Sequence, residues 1–371
     1  MTPRVLFDSQ IFCAQEFGGI SRYFASIARS MWLTELARPL IVAPVHINEY
    51  AEKLPRHLVV GRRMSARGKP MARALSLVIG GAYQYGYRPD IVHHTYYYPV
   101  PCAPRSARSV LTVYDMIHER EPNTFSLGDP IAGWKARAVA KADHIICISE
   151  HTRRELIDIL DVPEKKVSVT HLGYDVLSVV PPESAAESGK SAAEATQPYL
   201  LFVGARGGYK NFAGLLAAYA SSPWLRSHFG IRCFGGGPFT PAERDLVARA
   251  GLGDRVLQLG GSDAVLASCY RHAALFVYPS RYEGFGIPPL EAMSLDCAVA
   301  CSNTTSLPEV VGDAAACFDP SDPDAMRDTL ERTLGSADAL AGLIARGRLR
   351  CAQFSWARCA RETVKIYKET S

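Results

Sequence analysis

Ten cysteines are spread over the 371 residues, yet no two form a C-x-x-C pair, and several lie in apolar runs such as Ile145-Ile146-Cys147-Ile148. Without such pairs they read as small buried hydrophobes in a reducing compartment, not as disulfides or metal ligands. No apolar run approaches the roughly 18 residues of a membrane span. At the N-terminus Val5-Leu6-Phe7 gives way at once to Asp8-Ser9-Gln10, with no stretch of signal-peptide type, so a cytoplasmic location is expected. Acid is missing from residues 53–88, which carry Lys53, Arg56, Arg62, Arg63, Arg67, Lys69, Arg73 and Arg88 but no Asp or Glu. Interleaved Met64, Met71, Leu75, Leu77, Val78 and Ile79 would give a helix an apolar side. The segment reads either as a solvated basic face over a core helix or as a surface for anionic lipid, at roughly 1 kcal/mol per basic residue. No recognition motif accompanies the charge, so nucleic acid is not expected as a partner.

Two further absences narrow the chemistry. A dinucleotide fingerprint needs G-x-G-x-x-G, and Gly235-Gly236-Gly237-Pro238-Phe239-Thr240 puts threonine where the third glycine belongs. A D-x-D metal motif is spelled only by Asp322-Pro323-Asp324, whose place ahead of a helix reads as a cap; no catalytic metal is expected. What remains is an ordinary globular composition, 48% hydrophobic and 21% charged with a net charge of +4, long enough for about two domains. No internal short-period repeat is visible.

The densest chemistry lies in Val277-Tyr-Pro-Ser-Arg-Tyr-Glu-Gly-Phe-Gly-Ile-Pro-Pro-Leu-Glu291. A strand ends at Pro279, a glycine loop follows, and a helix is expected from Pro288-Pro289 with Glu291 in its first turn. Orphan amides and the helix dipole make such a turn a place for an anion, with Glu283 and Glu291 on either side. The string resembles the E-x7-E signature of retaining GT-B glycosyltransferases, in particular glycosyltransferase family 4. That resemblance implies that Glu283 approaches the donor sugar, that Glu291 binds the nucleotide ribose, and that Gly284, Phe285, Gly286 and Ile287 lie along the diphosphate.

Other stretches fit the same family. After the first strand, Gly18-Gly19-Ile20-Ser21 is similar to the glycine loop that the family sets opposite the donor diphosphate, so Gly18 and Gly19 are candidate donor residues. In Ala205-Arg206-Gly207-Gly208-Tyr209-Lys210, the spacing after a strand lets both cations converge on one pocket, and the resemblance makes Arg206 and Lys210 the donor-phosphate pair. Gly236 and Ser262 fall in loops like those beside the nucleobase. Tyr114-Asp115 stands where the family commonly has His-Asp; His118, three residues on, either supplies the missing imidazole or is unrelated. Asp115 and His118 are therefore counted with Glu283, Lys210 and Arg206 as candidate catalytic residues. Tyr96-Tyr97-Tyr98 suits sugar stacking or a plain core-and-rim arrangement. Ser149 should cap a helix.

The expected fold is α/β: two Rossmann-like domains, 1–180 and 198–350, facing across a cleft and joined by a linker at 181–197. A C-terminal helix in 351–371 should return to the first domain. The expected activity is retaining, metal-independent transfer of a hexose, from a GDP-mannose-type or GDP-6-deoxyhexose donor, to a glycan or lipid-linked oligosaccharide acceptor in bacterial surface-polysaccharide synthesis. The nucleotide sugar is a substrate, and no cofactor is expected. A nucleotide-sugar-binding protein without turnover is the alternative. A related phosphorylase would need pyridoxal.

Overall fold

The computed structural model describes residues 2–99, 103–126, 128–177 and 197–370. Apart from Gln197, the expected linker lies outside the described residues, as do Cys102 and the side chain of Leu77. By its internal contacts the chain divides into one unit reaching Gly173 and resuming at Phe354, and a second from Tyr174 to Gln353.

Short runs rich in Val, Ile, Leu and Phe form the central strands, which are buried on both faces as parallel sheets require. The first unit holds β1 (Arg4–Phe7), β2 (Arg38–His46), β3 (Val59–Arg63), β4 (Ile91–His94), β5 (Arg108–Val113), β6 (His144–Cys147) and β7 (Val167–Val169). They lie in the order β3-β2-β1-β4-β5-β6-β7, every neighbouring pair parallel. The second holds β8 (Tyr199–Val203), β9 (Gly230–Phe234), β10 (Val256–Leu259), β11 (Leu275–Tyr278), β12 (Val299–Ser302) and β13 (Ala316–Phe318), in the order β10-β9-β8-β11-β12-β13. In each sheet the chain reverses direction across the first strand, β1 or β8. That reversal opens a crevice at the carboxyl ends of β1 and β4, and again of β8 and β11.

The closing helix Trp356–Thr370 belongs to the first unit, as expected. It buries Cys359, Ala360, Thr363, Val364 and Tyr367, a stripe at helical spacing. Its approach needs a glycine at 173, where a Cβ would lie 2.2 Å from the Trp356 amide nitrogen. Tyr367 then reaches His93 on β4: the phenol stands 2.5 Å from Nδ1, and Thr112 on β5 stands 2.7 Å from Nε2. Burial, helped by neighbouring His94, pushes the His93 pKa down to about 3, so the ring is neutral.

Two local expectations hold and one is corrected. Ser149 accepts the Thr152 amide at the start of the helix Glu150–Leu160. Asp322 caps the helix Pro323–Leu334 by accepting from the Asp324 and Ala325 amides, so the D-x-D string is a cap. The helix expected from Pro288 begins instead at Ile287 and runs to Ser294, because Gly286 takes a φ of +117° as its N-cap. Glu291 consequently falls in the second turn.

Candidate functional site

At the crevice of the second sheet, the loop after β8 and the loop after β11 are tied by a hydrogen bond that the Arg281 amide donates to the Tyr209 carbonyl, 2.7 Å. Lys210, on the short turn Gly208–Lys210, donates to Glu283 Oε1 at 2.6 Å and to the Tyr278 hydroxyl at 3.3 Å. Burial alone would depress the Lys210 pKa, but Tyr278 and Glu283 outweigh it and hold the ammonium above the usual lysine value. The charge is thus permanent at neutral pH. Glu283 is fixed through its backbone: its amide donates to Thr305 Oγ1 at 3.1 Å, and Ser306 Oγ donates to its carbonyl and to that of Phe285, each at 2.8 Å. Thr305 holds this position at a φ of +57°, costly for a β-branched residue and common where a functional loop is over-determined.

Arg206 does not join this cluster, which corrects the expected convergence of the two cations. In the sheet β8 lies between β9 and β11. Lys210 turns toward β11, whereas Arg206 turns toward the exit of β9. Its guanidinium, 1% exposed, pairs with Glu243 at 2.9 Å and donates to the carbonyls of Gly235, Gly236, Gly237 and Pro238. Gly236 has a φ of +69°, and a Cβ there would meet the Arg206 guanidinium and the Gly204 carbonyl, each at 2.8 Å. Arg206 therefore shapes the glycine loop expected beside the nucleobase. Glu243 also closes a capping box with Thr240, and those bonds with Arg206 hold its pKa low against the effect of burial.

Glu291 is buried and within 3.4 Å of the Tyr270 hydroxyl, away from the exposed face where a first-turn carboxylate would stand. Phe285 and Gly286 are buried and Gly284 and Ile287 half-buried; Pro288 and Pro289 remove two of the amides the helix start would otherwise offer. Ser262 is the exposed N-cap of the helix Asp263–His272.

In the first unit, Gly18 caps the helix Gly19–Leu33, and the absence of a side chain leaves room for Gln15, whose Oε1 accepts the Ser21 amide at 3.3 Å. Tyr114 is core: its hydroxyl donates to the Thr95 carbonyl, and its ring packs against Tyr23, Phe24 and Tyr97. Asp115 and His118 lie about Lys135, a fully buried cation that the sequence reading missed. Lys135 donates to the Asp115 carbonyl and to Glu119 Oε2, both at 2.8 Å, with the Asp115 carboxylate 3.8 Å away. His118 stacks on Phe125 at 3.9 Å, and burial with Lys135 nearby lowers its pKa. A second missed cluster occupies the β1/β4 crevice. Asp8 accepts from Gln10, from Thr95 at 2.7 Å and from His94 at 2.7 Å; burial raises its carboxyl pKa, but His94 and then Thr95 outweigh that and hold it below the usual range. Its signal was positional, since Asp8 and Thr95 each follow directly on a strand that borders the reversal.

Among the described residues no three His, Cys, Asp or Glu side chains gather as metal ligands, and no helix is long and apolar enough to cross a membrane.

Comparison with known proteins agrees with this layout. The Glycosyltransferase Family 4 model matches residues 17–176, and that of Glycosyl transferases group 1 matches 183–350. O-antigen chain mannosyltransferase B of Escherichia coli is 37% identical over 233 residues, 60% of this chain and 60% of that protein. The serotype-specific mannosyltransferase WbdA of Escherichia coli is 29% identical over 303 residues, 73% of this chain but 36% of that protein. The match thus spans less than two thirds of the length of either relative. A sucrose-phosphate synthase structure from Thermosynechococcus elongatus, 18% identical, shares the fold with a TM-score of 0.75 over 100% of this chain and 99% of that one. With both halves matched in turn and a doubly wound sheet in each unit, the chain belongs to glycosyltransferase family 4, built on the GT-B plan.

Proposed function

We propose that the chain transfers a hexose from a nucleotide sugar to a glycan acceptor, with retention of configuration and without a metal or other cofactor. Supporting the mannose-type donor are the two mannosyltransferase relatives, and the name of the first supports a role in O-antigen or similar surface-polysaccharide synthesis; GDP is the nucleotide we propose with it. The observation that carries the reading is the Lys210–Glu283–Tyr278 cluster, set by two tied loops at the crevice of the second sheet.

In this reading the donor diphosphate takes the Lys210 ammonium, which is already charged and already oriented. The bond from the anomeric carbon to the phosphate oxygen breaks as the acceptor oxygen bonds to the same face, and the acceptor's proton passes to the departing phosphate. Charge builds on that phosphate, and Lys210 stabilises it where it builds. Glu283, relieved of part of its ion pair, accepts from a donor-sugar hydroxyl. Glu291 serves the ribose, with Tyr270 orienting its carboxylate. Arg206 acts through the Gly235–Pro238 loop beside the base, with Ser262 at the next loop. The Asp115–Lys135–His118 group serves the acceptor. Residues 53–88 would rest the enzyme on an anionic membrane at its cytoplasmic face.

Incubation with GDP-mannose and a mannose-terminated oligosaccharide tests this. The expected product gains one hexose in the donor's own anomeric configuration, read by mass and by NMR, with chelator present. Binding of the donor with no product from any nucleotide sugar would favour a sensor without turnover.

A further inference from the structure

The first unit contains a pocket of about 530 Å³ that runs along the sheet face under the helix Ile131–Lys141, from residues just after β4 to residues just before β5 and β6. That volume suits a small organic ligand. Its inner walls are aromatic: Tyr96, Tyr98 and Trp134, with the Tyr98 and Trp134 rings edge to face at 5.2 Å. Among the described residues the hydroxyls of both tyrosines and the Trp134 indole N–H make no hydrogen bond. Flat apolar faces that carry free polar tips are what a sugar ring needs, since its C–H face stacks and its hydroxyls bond at the edge.

The rim is different in kind. Arg105, Arg108, Arg137 and Lys141 line the pocket, and none has an acidic partner among the described residues. The carboxylate beside them, Asp143, accepts the Ser109 amide at 2.8 Å. Arg137 and Lys141 stand four apart on one helix, a like-charge spacing that destabilises the helix unless an anion lies between them. Two such cations can grip a phosphate.

We propose that this pocket binds a glycosyl phosphate, the ring against the wall formed by Tyr96, Tyr98 and Trp134 and the phosphate on Arg137 and Lys141. The proposal deepens the transferase reading by placing the phosphate-bearing end of an acceptor, and it rests on that reading for its biological sense; binding itself needs no turnover. The ligand could be a free sugar phosphate or the sugar-diphosphate end of a lipid carrier, which share this chemistry.

Calorimetry with the full chain, mannose 1-phosphate and a short-chain prenyl diphosphate mannose decides it. Expected are binding of at least one of them, a loss of tenfold or more in R137A/K141A, a comparable loss in Trp134→Ala, and little change in Lys210→Ala. The stronger ligand names the source. Mannose and inorganic phosphate alone should bind at least tenfold more weakly. Undiminished affinity in R137A/K141A, or affinity lost only in Lys210→Ala, would overturn the proposal, as would no binding of either compound. If either ligand binds as expected while no hexose is ever transferred from a nucleotide sugar, the pocket stands and the transferase reading falls.

Discussion

Lys210 and Arg206 are four residues apart in one loop and do different work. Lys210 is a charge held at the mouth of the crevice by one carboxylate and one phenol. Arg206 is a buried fork that saturates four consecutive carbonyls and Glu243. Arg206→Ala would strip Glu243 of its cationic partner, leaving it only the Thr240 bond, and the loop of its four-carbonyl clamp, at a cost on the order of 3 kcal/mol. The expected outcome is a clearly lowered denaturation midpoint, which Arg206→Lys does not restore, because an ammonium cannot match a planar fork. An unchanged midpoint in Arg206→Ala would show that the loop stands without it. The motif named both residues correctly as cations after a strand, but spacing alone could not show that β8 has a neighbour on each side. Glu291 had the same limit: its letter was legible, its burial against Tyr270 was not, because Tyr270 is 21 residues earlier and the contact is made only through the sheet.

At the scale of elements, glycine and proline punctuation located most of the strand exits, and the helix starting at Ile287 was missed by a single residue. Lys135 and Asp8 went unread because a lone Lys in a helix and a lone Asp after a strand carry no local sign of what they meet. The helix Lys69–Tyr87 is a case in which pattern and structure agree on a surface. Met71, Leu75, Val78, Ile79 and Tyr83 recur on one side and are exposed, Val78 by 78%, while Ala72 and Ser76 are buried and Ser76 bonds to Val45 of β2. A row of this kind beside a stretch without acid suits the headgroup region of an anionic bilayer. Co-sedimentation with vesicles containing phosphatidylglycerol is expected for the natural chain and not for Leu75→Glu/Val78→Glu. Equal sedimentation of both, or equal binding to neutral vesicles, would remove the membrane from the proposal.

At the scale of the molecule, the first unit is closed by the end of the chain, and the link is a neutral histidine. His93 has a pKa of about 3 when folded against 6.5 ordinarily, so as pH falls the unfolded chain takes the proton first. The stability it supports is full above about pH 6.5 and falls by about 1.4 kcal/mol for each pH unit from there toward pH 3. Urea midpoints measured at pH 7 and pH 5 should therefore differ, and His93→Asn should show a shallower dependence while starting less stable. An equal slope in the variant would place the acid sensitivity elsewhere.

Of all these claims, the one on which function depends is that Lys210 and Glu283 act on the sugar nucleotide. Initial rates of nucleoside diphosphate release from GDP-mannose, with a mannose-terminated acceptor, test it most directly in the natural chain, Lys210→Ala and Glu283→Ala. Expected is a fall in kcat of about 100-fold or more in each variant, with thermal midpoints close to that of the natural chain. Rates within a few-fold of normal in either variant would remove that residue from the chemistry, and normal rates in both would contradict the site.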